Sequence, residues 1–92
     1  MLGLSQDTGW RLLPTRSGYE CTGYEVVWEG SHCVDVELAE GLRNTDSIKS
    51  VFRFVRYIAR TLGSATLKLR YTPVGSDGNG STIVITIEIT VR

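Results

Sequence analysis

The chain has 92 residues, ten basic and ten acidic side chains, a formal net charge of zero and a 41% apolar share. These values fit one small globular domain and exclude a disordered or collagen-like chain. The charge balance argues against general adhesion to nucleic acid or anionic membrane, and the length leaves little scaffold for a deep catalytic cleft.

Residues 1–18 read as a partly irregular segment, punctuated by Gly3, Gly9, Pro14 and Gly18, with Trp10, Leu12 and Leu13 as its apolar content. Residues 19–29 alternate as a strand with Tyr24, Val26 and Trp28 on one face. Residues 33–39 alternate again, with Val34, Val36 and Leu38 inward and Asp35 and Glu37 outward. Gly30-Ser31-His32 between them reads as a hairpin loop, which sets Trp28 opposite Val34, Val26 opposite Val36 and Tyr24 opposite Leu38. That register also puts Glu25 opposite Glu37. Like charges so placed are unfavourable, and they call for a base from a neighbouring strand or a partner.

Residues 46–62 read as a helix, capped by Asn44, Thr45 or Asp46 and closed by Gly63. At about 100° per residue, Ile48, Val51, Phe52, Val55, Ile58, Ala59 and Leu62 share one arc. Residues 65–74 form a further strand with Leu67, Leu69 and Tyr71 inward, and 75–80 form a glycine-rich turn. Residues 81–91 alternate at length, with Ile83, Ile85, Ile87, Ile89 and Val91 on one side. The predicted fold is therefore α+β: hairpin, helix, hairpin in a β-grasp-like order, with one helix packed on a four-stranded sheet. Residues 1–92 make a single domain.

Charge is segregated along the chain. Residues 17–46 hold seven acids and one base, and residues 47–92 hold seven bases and two acids. Lys49, Arg53, Arg56 and Arg60 recur at helical spacing beside Tyr57, with no acid between 47 and 62 to neutralise them. Arginine suits bidentate contact with carboxylate or phosphate. Glu25, Asp35 and Glu37 make a secondary acidic patch. The bland reading is that the two halves of the chain pair their charges.

No arrangement of nucleophile, base or metal ligands stands out. His32 and Cys33 are adjacent on an extended segment and point apart. Two cysteines with one histidine make neither a disulfide framework nor a zinc site. Gly75, Gly78 and Gly80 join two strands, so no helix N-terminus is there to hold phosphate. The expectation is a non-enzymatic adaptor, accessory subunit or inhibitor without a cofactor. It would bind a protein partner through the basic helix face or a sheet edge, and a homodimer is one form this could take. The alternative is a nucleic-acid-binding protein using the same basic stripe. Met1–Ser5 has no charged leader and no long apolar run follows, which points to the cytoplasm and away from the membrane.

Overall fold

A computed structural model describes residues 2–40, 51–74 and 80–92. Among these residues there are seven strands and no helix: β1 Leu2–Leu4, β2 Arg11–Leu12, β3 Tyr19–Glu29, β4 Val34–Glu40, β5 Phe52–Ala59, β6 Gly63–Pro73 and β7 Ile83–Val91. They form one curled sheet, a half-barrel of order β1-β7-β6-β3-β5-β2, with β4 paired to the other side of β5.

The central part of the chain is one long antiparallel ribbon folded over at its middle. β3 pairs β6, and β4 pairs β5. Before the fold Trp28 faces Ala65, and after it Val34 faces Ala59. Six residues advance on one strand against six on the other, so the register runs unbroken round the corner. Cys33 C=O accepts from Arg60 N–H at 2.8 Å and Thr61 N–H at 3.2 Å inside the corner. The Trp28 indole N–H spans it to Val34 C=O at 2.8 Å. Gly30 takes the turn with φ of 89°, a region open to glycine. Cys33 and Val34 are consecutive yet both fully buried, because the strand changes layers between them.

The core lies inside the curl. Ala65, Leu67, Leu69, Tyr71, Ile89 and Val91 from β6 and β7 meet Val34, Val55 and Tyr57 from β4 and β5. Burying such side chains contributes about 1.5–3 kcal/mol each before entropy is counted. A bulge between Cys21 and Gly23 lets Cys21 and Tyr24 both turn to the β6 face that carries Tyr71 and Leu69. The first residues tie the two layers together. β1 runs parallel to the end of β7, and β2 runs antiparallel to β5. Between them Thr8 N–H donates to Tyr57 C=O at 2.9 Å, and Asp7 Oδ1 accepts from Ala59 N–H at 3.0 Å.

This architecture corrects the α+β, β-grasp-like expectation. Residues 52–59 of the predicted helix are strand β5, and 46–50 lie outside the described residues. The apolar spacing fits a helical arc, but Phe52, Phe54, Val55, Tyr57 and Ile58 are aromatic or β-branched and favour the pleated state. Tyr57 decides between the two periods. The helical wheel puts it on the basic flank, whereas it is 3% exposed in the core. The 30–32 hairpin is also overturned, since β3 and β4 each pair with a different strand. The inward residues of β4, β6 and β7 lie where the alternation put them.

Candidate functional site

Loss of the helix disperses the basic stripe. Lys49 lies outside the described residues. Arg53 is exposed near Leu13, whose N–H donates to Arg53 C=O at 2.9 Å. Arg56 and Arg60 face outward and meet acids of the notional acidic patch. Glu37 lies directly opposite Arg56 in the ladder and accepts from its Nε at 2.8 Å. Asp35 is held by Arg60 on one oxygen and by the His32 ring on the other. β5 and the residue that follows it thus supply the bases that the acids of β4 require. Glu25 is separate from both, opposite Lys68 on β6. The acidic patch is therefore not one site.

Two aromatic contacts complete this outer face. Trp10 lies under the Arg56 guanidinium, 4.8 Å from ring centroid to carbon. Trp28 stacks on His32 with centroids 4.1 Å apart. The His32 hydrogen bond, followed by that of Arg60, holds the Asp35 carboxyl below its ordinary range. Burial pushes the Cys21 thiol and the Tyr57 phenol up, and pushes Tyr71 up to about 12. A thiol so raised stays protonated and is a poor nucleophile. Cys33 is fully buried while His32 is exposed, so the two form no nucleophile–base pair. Among the described residues no group of three or more His, Cys, Asp or Glu side chains gathers to hold a metal ion. Among them, too, no helix is long and apolar enough to cross a membrane.

What remains open is backbone. Among the described residues the short strands β1 and β2 each pair on one side only, and three longer strands have open edge: β3 beyond Cys21, β4 over residues 35–39, and β7 over residues 83–87, below the point where β1 joins it. An open edge offers free N–H and C=O groups to any extended chain, and proteins usually guard it with charge or a bulge. β3 carries Glu25, Glu29 and a bulge; β4 carries Asp35, Glu37, Glu40 and a bulge. β7 has neither charge nor bulge from Ile83 to Ile87.

The ladder fixes which groups β7 presents. Arg92 N–H donates to Leu4 C=O at 2.7 Å, so the even-numbered residues turn their backbone groups toward the β1 side. Val84 and Thr86 therefore aim N–H and C=O at the open edge, while the C=O of Glu88 already belongs to the β1 ladder. Ile83, Ile85 and Ile87 stand half-buried on the core side, and Val84 is 58% exposed on the other. The alternation of 81–91 was visible in the sequence, but its position at an edge was not. No protein-family model, curated protein or solved structure matches this chain.

Proposed function

We propose that the chain is a non-catalytic protein-interaction module that takes an extended segment of a protein onto the open edge of β7. The observation that carries this reading is the contrast among the three longer open edges: two are guarded by carboxylates, and Ile83–Ile87 is not. In strand addition main-chain hydrogen bonds supply affinity, and alternate side chains supply selectivity. Here Val84 and Thr86 would supply the first, and Ile83, Ile85 and Ile87 the second. The basic residues have a smaller part than their spacing suggested, because Arg56 and Arg60 are engaged by Glu37 and Asp35. The two buried free thiols suit a reducing compartment, and we place the module in the cytoplasm.

Thr86→Pro tests the reading. The Thr86 N–H points to the open side, so proline removes a docking donor and leaves the ladder to β6 intact. The expected result is that proteins recovered from cell lysate by the parent chain are lost with Thr86→Pro, while the thermal unfolding midpoint stays close to that of the parent. Equal recovery by the two chains overturns the reading.

A further inference from the structure

We infer that the segment received by this edge is the β7 strand of a second copy of the chain, added antiparallel about a two-fold axis through Ile85; the inference rests on the strand-addition reading above. With Ile85 on the axis, Ile85 meets its own counterpart, and Ile83 meets Ile87 of the second copy. All three inward isoleucines then face isoleucine. Val84 pairs with Thr86, and these are residues whose N–H and C=O groups already face outward.

Neighbouring registers are worse for stated reasons. A shift that places Thr86 on the axis sets Ile83 against Ile89, where Leu2 is already paired. A shift that places Val84 there sets Ile87 against Ser81. A slip by a single residue turns each inward isoleucine against an outward side chain. β1 thus ends the shared ladder on each copy and helps to fix its register.

Charge permits the assembly and limits it. Zero net charge gives two copies no long-range repulsion. No charged side chain lies within Ile83–Ile87. A two-fold contact uses both β7 edges; the other long open edges, on β3 and β4, carry acids on both partners, and β1 and β2 are only three and two residues long. The assembly therefore closes at two chains and does not extend into a fibre.

Sedimentation equilibrium up to submillimolar concentration, applied to the parent chain, Thr86→Pro and Ile85→Cys, tests the proposal. The parent chain should reach twice the monomer mass, and Thr86→Pro should stay monomeric with an unchanged thermal midpoint. Residues directly opposite in a non-hydrogen-bonded antiparallel pair have Cα atoms about 4.5 Å apart, within disulfide reach. Ile85→Cys should therefore give a covalent dimer under mild oxidation, and the parent chain should not, since Cys21 and Cys33 are buried. A dimer that Thr86→Pro leaves intact, or an Ile85→Cys dimer that does not cross-link, overturns the inference. So does a parent chain that remains monomeric. If lysate capture in that last case is still lost with Thr86→Pro, strand addition stands and the occupant is a different protein. If that capture is also unaffected, both readings fall.

Discussion

Gly63 lies against Cys33 at the inside of the ribbon's corner: a Cβ on Gly63 would come within 2.9 Å of the Cys33 Cβ. Cys33 is fully buried and cannot retreat. Gly63→Ala should therefore force the two layers apart and cost about 1–3 kcal/mol, as overpacking of a tight site does. Urea denaturation measures it. Gly23 provides the contrast. A Cβ there would meet the end of the Arg70 side chain, which can swing into solvent, so Gly23→Ala should cost clearly less than Gly63→Ala.

The pH dependence of stability should carry the mark of Asp35. Its folded carboxyl is held below the ordinary value by His32 and then Arg60. The folded state thus binds fewer protons than the unfolded chain as pH falls through the carboxylate range. The stabilisation is complete above the unfolded value, near pH 4, and is lost as pH drops through the lower folded value. Denaturation midpoints from neutral to acid pH should show this loss in the parent chain and a flatter profile in Asp35→Asn.

Alkali should act through Tyr71. Its phenol is buried, donates to Pro14 C=O, and is pushed up to about 12. The unfolded chain releases that proton near pH 10, so stability should fall as pH rises from about 10 toward 12. Absorbance titration of phenolate should show Tyr71 ionising above the ordinary tyrosine range, and Tyr71→Phe should remove that step. Loss of the hydrogen bond leaves the Pro14 carbonyl without this donor and should cost about 1–3 kcal/mol.

The Trp10–Arg56–Glu37 contact is solvent-facing, and its effect should be small. Glu37→Gln should cost at most about 1 kcal/mol and less in high salt, because an exposed pair is screened. Trp10→Ala should add a separate loss from the stacked guanidinium, about 0.5–1 kcal/mol at an exposed site. A double-mutant cycle by urea denaturation in low and high salt separates the two contributions.

Much of the sheet can be read from alternation. Val34, Val36 and Leu38, then Leu67, Leu69 and Tyr71, then the isoleucines of β7 all lie on the faces that period two assigns them. Residues 52–59 are harder, because their apolar residues fall on both strand faces, Phe52, Phe54 and Ile58 on one and Val55, Tyr57 and Ala59 on the other, so no clean period of two competes with the helical arc. Only the composition, with two phenylalanines, a tyrosine, a valine and an isoleucine, leans to the strand. Gly30-Ser31-His32 misleads for another reason. A glycine-bearing break between two alternating runs looks alike whether the chain reverses into a hairpin or turns a corner within a longer ribbon. Parity of inward residues is satisfied both ways. The need of Asp35 and Glu37 for bases was legible, but their source in Arg60 and Arg56 follows from strand order. The same holds for the open edge of β7, since being an edge is a property of the neighbours and not of the strand.

The continuous pairing of the folded ribbon also orders assembly in time. Its pairings grow steadily more distant in sequence, from Glu40 with Phe52, through Trp28 with Ala65, to Tyr19 with Pro73. Each step closes only a slightly larger loop than the last, so the ribbon can zip from its inner end at little added entropic cost. β1 is the opposite case: Leu2 pairs with Ile89, so the first strand of the chain waits for the last. During synthesis Leu2 and Leu4 therefore stay uncovered until β7 has been made, and the strand that bounds the β7 edge docks only after β7 is in place.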